Sequence, residues 1–213
     1  KWTVKTTDIK SAFLQGNPID REICIQPPKE AKVVYGKVWK LKRCLYGLND
    51  AARKFYDSVV NELSNLGCTK SMSDPALFYY KKNGMICGIL VSHIDDFLHA
   101  GDSVFETDVM QKLRCRFVAG KLLESDFLYV GFQVKQNSKG IMIDQTQYLE
   151  QMKVPVVPAE RKPNKMEELT SSEYTLFRSV VGSMNWVGHG TRPDILFELI
   201  ELSMQFNKAT VEN

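Results

Sequence analysis

The sequence lacks several features that would announce a function on their own. No apolar run approaches the ~18–20 residues of a membrane-spanning helix, and the longest, Met85 to Val91, reads as a buried strand. No Cys-x-x-Cys pair occurs. None of the five cysteines (Cys24, Cys44, Cys68, Cys87, Cys115) has a histidine at zinc-finger spacing, which excludes the common structural zinc sites. The odd cysteine number, with no secretory leader ahead of the first element, points to reduced thiols in the cytosol. Histidine is scarce, at three residues, and His99 and His189 have no partner at ligand spacing. No internal repeat or low-complexity tract is present. The net charge of +3 permits a nucleic-acid partner without implying one.

What is present is ordinary globular composition, 44% hydrophobic and 25% charged over 213 residues. That excludes a wholly disordered chain, a collagen and a coiled coil, and it allows one large domain or two small ones with a real core. The chain opens on Lys1, and a strand-like pattern starts within three residues of it. This reads as a fragment cut from a longer polypeptide.

Trp2 to Ile9 predicts a strand ending at Asp8, followed by an irregular piece and a turn at Gly16-Asn17-Pro18. Glu22 to Gln26 and Val38 to Leu41 are short strand candidates. Ala52, Phe55, Tyr56, Val59, Val60, Leu63 and Leu66 recur at helical spacing, with Asn49 or Asp50 as the cap and Gly67 as the stop. Leu77 to Lys81 and Met85 to His93 form a hairpin around Asn83-Gly84. The second of these strands runs into Asp95-Asp96, and Phe97 to Ala100 resumes the apolar pattern, so the two carboxylates fall in a tight turn. Ser103-Val104-Phe105-Glu106 reads as a capping box for a helix with Phe105, Val109, Leu113 and Phe117 inward. Leu128 to Val134 and Ile141 to Ile143 predict a second hairpin, and Gln145 to Lys153 a helix. Val154 to Glu168, with Pro155, Pro158 and Pro163, reads as a linker. Beyond it the pattern is helical: Thr170-x-x-Glu173 caps one helix, and Thr191 caps a second with Pro193 in its first turn.

The chemistry sits in the carboxylates. Two adjacent acids after an apolar strand repel each other with little water nearby, and a divalent cation relieves both problems. Mg²⁺ takes a few carboxylate oxygens and keeps its other positions for water and phosphate. The plain alternative is an acidic surface turn. Asp8 ends another strand, so one carboxylate from one strand and a pair from a neighbouring hairpin suit two metals about 3.5–4 Å apart.

Here the residues resemble a family. Thr7-Asp8-Ile9-Lys10-Ser11-Ala12-Phe13-Leu14-Gln15-Gly16 resembles motif A of the reverse transcriptases of copia-type LTR retrotransposons. Leu41 to Tyr56, containing Leu45-Tyr46-Gly47-Leu48, resembles their motif B, and Val91 to Asp96 with Phe97-Leu98-His99-Ala100-Gly101 resembles motif C. Phe127-Leu128-Tyr129-Val130-Gly131-Phe132 is similar to the segment around the primer grip. Tyr174 to Asn185 and Thr191-Arg192-Pro193-Asp194-Ile195 are similar to the stretch leading toward the RNase H domain.

The resemblance implies an α+β fold: a polymerase palm with an antiparallel sheet backed by helices, partial fingers, and a helical C-terminal part like a thumb or connection. It places the palm and partial fingers in residues 1–120 and a primer-grip-like hairpin and helix in 121–154. A linker then covers 155–169, and a helical connection covers 170–213. It implies Asp8, Asp95 and Asp96 as catalytic carboxylates. Asp8, Asp95 and the Ile9 carbonyl would bind two Mg²⁺ or Mn²⁺ ions, with Asp96 more peripheral. Ala12, Phe13, Tyr46 and Gly47 would bind the nucleotide, with Phe13 as a ring under the sugar that leaves no room for a 2′-hydroxyl. Phe13 as plain core and Gly47 as a plain turn residue are the competing readings. Trp39, Lys42, Arg43, Arg53, Tyr129 and Gly131 would contact nucleic acid, within a basic and aromatic run that also holds Tyr35, Lys37, Lys40 and Tyr46. A solvated strand edge is the alternative there.

The partners implied are an RNA or DNA template with its primer, deoxynucleoside triphosphates, and the integrase and RNase H of the same Pol polyprotein, with no membrane. The implied location is a cytoplasmic virus-like particle or the nucleus. The sequence departs from the family at His93, where tyrosine is usual, and at Asn49-Asp50-Ala51-Ala52-Arg53, where Lys-Gln-Ala-Pro-Arg is usual. The fingers strands that clamp the triphosphate would precede Lys1, and the nuclease would follow Asn213. These departures keep open a decayed or co-opted nucleic-acid-binding module. A palm-type nucleotide cyclase shares the two-Asp site, but the motif B resemblance argues against it.

Overall fold

The computed structural model describes residues 1–34, 36–153, 156 and 158–212, and the chain packs as two units, Lys1–Phe127 and Leu128–Asn213. The divisions drawn from sequence at 120, 154 and 169 do not coincide with this one. The first unit begins with strand β1 (Thr3–Asp8) and a one-turn helix α1 (Ala12–Gln15), where an irregular piece was expected. Two-residue strands β2 (Cys24–Ile25) and β3 (Trp39–Lys40) pair with each other. They are shorter than the expected 22–26 and 38–41, because Pro27 and Pro28 supply no N–H to extend the ladder.

Helix α2 (Ala51–Asn65) follows, then β4 (Cys68–Lys70), β5 (Leu77–Lys82), β6 (Met85–His93) and β7 (Asp96–Gly101). A helix over 103–116 has three parts: α3 (Ser103–Phe105), a π turn (Glu106–Met110) and α4 (Gln111–Arg116). Strand β8 (Leu123–Glu124) closes the unit's six-stranded sheet, ordered β4-β5-β6-β7-β1-β8 with antiparallel neighbours.

Local chemistry explains most of these boundaries. Asn83 and Gly84 take φ of +52° and +78°, the primed turn that matches strand twist, so β5 and β6 meet as the Asn-Gly pair implies. Gly67, at φ +85°, ends α2. Two expected caps are replaced by stronger partners. Asp50 stands at the start of α2, but its carboxylate accepts a charge-assisted bond from Arg21 Nη2 at 2.7 Å instead of capping. The 103–116 helix is capped by Asp102, which accepts the Phe105 N–H at 3.0 Å. The Ser103–Glu106 box does not form, because the Glu106 carboxylate turns inward to Arg114 and Lys5.

Helix α2 contributes Phe55, Val59 and Leu63 to the core, and the 103–116 helix contributes Phe105, Val109, Met110 and Leu113, with Phe117 just after it. Ala51, not Ala52, is the buried alanine of α2. Phe105, Val109, Leu113 and Phe117 are spaced by four, which drifts around an ideal helix, and the wider π turn absorbs part of the drift. Beneath that helix His99 is almost fully buried on β7, and burial pulls its imidazole down to about 4, so it sits neutral near Glu106.

The second unit has a three-stranded sheet, ordered β11-β10-β9, built from β9 (Asp126–Tyr129, which straddles the division), β10 (Phe132–Gln136) and β11 (Ile141–Asp144). The single strand expected over 128–134 is broken by Val130 and Gly131 at φ +47° and +81°. Helices α5 (Thr146–Glu150), α6 (Ser171–Gly190) and α7 (Leu196–Met204) follow. The Thr170–Glu173 capping box forms as the sequence implies. Thr191 does not cap α7; it ends α6, and its hydroxyl donates to Gln145 Oε1 at 2.9 Å.

Of the expected linker, residues 155 and 157 lie outside the described residues, as does Val154 before it. The rest is tied down. Arg161 pairs with Glu173 and with Glu167, and Glu168 forms a β-bridge with Thr210. Among the described residues no helix is long and apolar enough to cross a membrane.

Gly88 and Gly101 face each other across β6 and β7, and together they form the floor under Phe105. A Cβ at either would fall 2.1 Å or 2.3 Å from that ring. Gly101→Ala is expected to cost about 1–3 kcal/mol by overpacking, read as a lower urea midpoint with an unchanged denaturant slope.

Candidate active site

The β1–β7 register sets Asp8 directly opposite Asp96, and directly opposed residues of an antiparallel pair project to the same face. On the other side of β7, His93 of β6 is opposite the same Asp96. Asp95 lies between His93 and Asp96 in a two-residue turn with Ile94. Ile94 has φ +55°, a conformation that is costly for a β-branched residue and that persists only where the surroundings impose it. One such constraint is visible: the Ile9 N–H donates to the Asp95 carbonyl at 2.7 Å, stitching the turn to the end of β1. Ile9 and Asp95, 86 positions apart in sequence, are thereby bonded directly.

The electrostatics follow. The Asp96 carboxyl is raised above the usual carboxylate range, first by burial and then by the negative charges of Asp95 and Asp8, with His93 opposing. Asp8 is exposed and Asp95 is half-buried. The Asp8 carboxylate lies against the Cα of Gly120, whose N–H donates to the Asp8 carbonyl at 2.8 Å. Among the described residues no group of three or more His, Cys, Asp or Glu side chains is placed to hold a metal ion. The register does bring the carboxylates of Asp8 and Asp96 to one face, and the Asp8 carboxylate occupies the space where a Cβ at position 120 would stand. Carboxylate donors suit Mg²⁺ or Mn²⁺, which share their coordination with water and phosphate, and do not suit a thiolate- or imidazole-seeking ion.

The expected nucleotide residues divide. Phe13 and Tyr46, from α1 and the segment before α2, bring their rings to 4.5 Å between centroids. Phe13 is half-buried against the core, and Tyr46 is 56% exposed, so one edge of the pair faces solvent. Gly47 has φ +97° with nothing within 4 Å of where a Cβ would stand. Ala12 is fully buried in the core. Ile9 is likewise 2% exposed, its side chain in the core.

Part of the basic surface is paired with carboxylates. Lys40 pairs with Glu22 at 3.1 Å, Arg53 with Asp57 at 3.0 Å, Lys54 with Asp20 at 2.5 Å, and Arg21 with Asp50. Arg43 Nη1 donates to the Leu14 carbonyl at 3.2 Å. A groove between residues 18–22 and 40–43 is lined by Asp20 and Glu22 as well as by Lys42 and Arg43. Trp39 is exposed on β3. Tyr35 lies outside the described residues. Tyr129 and Gly131 belong to the second unit, at and just beyond the end of β9, and a Cβ at Gly131 would meet the Trp186 indole nitrogen at 3.5 Å.

Two residues beside Asp8 were not singled out from sequence: Gly120 and Gln15, whose amide group bonds both Lys10 and Val118. Gly120 follows a helix with no turn signal around it, so only its neighbour across the sheet reveals a role. Gln15 lies inside the motif A stretch, but its bonds reach more than a hundred positions along the chain.

A raised Asp96 means that the folded chain binds its proton more tightly than the unfolded chain does. This residue therefore costs stability as pH rises above the ordinary carboxylate value. Asp96→Asn is expected to raise the metal-free urea midpoint at pH 7. Asp95→Asn should move the Asp96 titration down, read by carboxyl-carbon NMR; an unmoved titration would show that burial alone sets it.

A family model described as reverse transcriptase (RNA-dependent DNA polymerase) matches residues 1–157. The chain is similar to the retrovirus-related Pol polyprotein from transposon RE1 of Arabidopsis thaliana, with 29% identity over all of this chain and 15% of the relative. It is also similar to that from transposon RE2 of the same plant, with 28% identity over 98% of this chain and 15% of the relative. A third, from transposon TNT 1-94 of Nicotiana tabacum, is 26% identical over 90% of this chain and 16% of the relative. The chain thus spans about 15% of the length of the relatives it matches.

Proposed function

The chain belongs to the reverse transcriptase (RNA-dependent DNA polymerase) family, and on that premise we propose that it carries the catalytic palm of a retrotransposon polymerase that joins deoxynucleotides to a primer on an RNA or DNA template. The observation that supports this most is the register that sets Asp8 opposite Asp96 with Asp95 in the adjoining turn. Palm and partial fingers are assigned to the first unit, residues 1–120 with the end of the sheet. The β9–β10 turn with Tyr129 and Gly131 is assigned to the primer. Helices α6 and α7 are assigned to a connection toward an RNase H, in a Pol polyprotein that also holds an integrase.

In this reading Asp8, Asp95 and the Ile9 carbonyl would hold two Mg²⁺ or Mn²⁺ ions, with Asp96 more peripheral. When bound, the ions supply charge neutralisation at the attacking 3′-hydroxyl and the pyrophosphate leaving group. The chain's own residues do the positioning. The Phe13 ring, braced by Tyr46, lies under the incoming sugar and leaves no room for a 2′-hydroxyl. Gly47, without a side chain, lets the backbone approach the base pair closely. Burial and the nearby charges of Asp95 and Asp8 make the negative charge on Asp96 costly when no ion is present.

The departures from the family at His93 and at Asn49-Asp50-Ala51-Ala52-Arg53 favour a second reading, a nucleic-acid-binding module without catalysis. That reading gives salt-sensitive primer–template binding and no incorporation.

Primer extension by the chain within its Pol polyprotein decides between them. Extension with Mg²⁺ or Mn²⁺ is expected, and Asp95→Ala should abolish it; extension by Asp95→Ala at the parental rate would refute the palm assignment. In the active protein, Phe13→Ala should admit ribonucleotides, read as the ratio of ribonucleotide to deoxynucleotide kcat/KM. An unchanged ratio would make Phe13 a packing residue.

A further inference from the structure

Gly120 has no conformational reason to be glycine. It does not adopt the left-handed backbone seen at Gly36, Gly47, Gly67, Gly84 and Gly131, so an alanine would be allowed there by the backbone. What excludes a side chain is what it would meet. A Cβ at position 120 would stand 2.0 Å from Asp8 Oδ1, 2.6 Å from its Cγ and 2.8 Å from its Oδ2. The three nearest atoms all belong to one carboxylate. At Gly88, by contrast, the nearest atoms belong to the Phe105 ring, which is core packing.

The segment that carries Gly120 is held firmly against β1. Gly120 N–H donates to the Asp8 carbonyl at 2.8 Å, Lys10 N–H donates to the Val118 carbonyl at 2.9 Å, and Ala119 bridges Ile9. Gln15 clamps the far end. Its amide oxygen accepts the Val118 N–H at 2.7 Å, and its amide nitrogen donates to the Lys10 carbonyl at 2.6 Å. Segment 118–120 therefore cannot drift away from Asp8 without breaking several bonds at once.

We propose that Gly120 is a positioning residue for Asp8: the volume left by its missing Cβ is the seat of the Asp8 carboxylate, and Gln15 keeps that seat in register. The proposal rests on the reading of Asp8 as a ligand for divalent cations. Asp8 faces two like charges, and without a defined seat its carboxylate has many rotamers that separate it from Asp95 and Asp96. A rigid glycine on one flank and the β7 strand on the other limit that choice. Metal ligands depend strongly on such outer partners.

The test is a titration of the whole chain with Mn²⁺, following free Mn²⁺ by electron paramagnetic resonance. Gly120→Ala is expected to weaken Mn²⁺ binding by about 10-fold or more, and Asp8→Ala is expected to weaken it too. Gly140→Ala should leave it unchanged, since nothing lies within 4 Å of a Cβ there. Parental affinity in Gly120→Ala, together with weakened binding in Asp8→Ala, would overturn the positioning role and leave the ion site standing. Parental affinity in Asp8→Ala would remove the ion site and the role of Gly120 with it. A stability cycle guards against simple misfolding. Gly120→Ala should lower the unfolding midpoint in the parent but not in the Asp8→Ala background, where no carboxylate has to move. An equal loss in both backgrounds would make Gly120 a packing residue and overturn the proposal.

Discussion

The candidate site depends on the antiparallel pairing of β1 with β7 at the end where both strands carry an acid. Six pairs run from Thr3 opposite Gly101 to Asp8 opposite Asp96. A slip of one residue would send Asp8 to the other face of the sheet, because side chains alternate along a strand. The register is secured at the critical end by the Ile9 N–H to Asp95 carbonyl bond, and along its length by buried neighbours such as Thr6, Phe97 and Leu90. The six-stranded sheet and its two covering helices can be seen as the frame that holds this one pairing.

That frame carries features unfavourable to stability. Two adjacent acids and a third opposite them raise the Asp96 carboxyl, and Ile94 is held in a left-handed conformation. Such local costs gather where a function needs them and are met by packing elsewhere. Here the packing is a continuous aromatic and aliphatic core, in which Phe55 meets Phe117 and Phe105 rests on two glycines. The charges around motif B are partly paired: Arg21, Lys40, Arg53 and Lys54 each have a carboxylate partner, while Lys42 and Arg43 are exposed. Exposed pairs of this kind contribute little stability, but they set the competition that an incoming phosphate would face.

Much of the architecture was legible without coordinates. The Asn83-Gly84 hairpin, the amphipathic α2 with Gly67 behind it, the inward Phe105, Val109, Leu113 and Phe117, and the Thr170–Glu173 box all stand where the pattern puts them. Each rests on neighbours within one turn or one strand pair. The failures have a common cause. Asp50, Glu106 and Thr191 have the right residue type to cap a helix, yet each bonds a partner distant in sequence: Arg21, Lys5 and Gln145.

The sequence by itself determined the family, the main hairpin and the two long helices of the first unit, because periodicity, turn chemistry and motif order are properties of neighbouring residues; it did not give β4, β8 or α1. Tertiary structure alone decided which acid faces which, that Phe13 and Tyr46 meet, that Arg21, Lys40, Arg53 and Lys54 have carboxylate partners, and that Gly120 lies against Asp8. Those outcomes are competitions for space and charge, most of them between segments well separated in the chain, and no local pattern records who wins them.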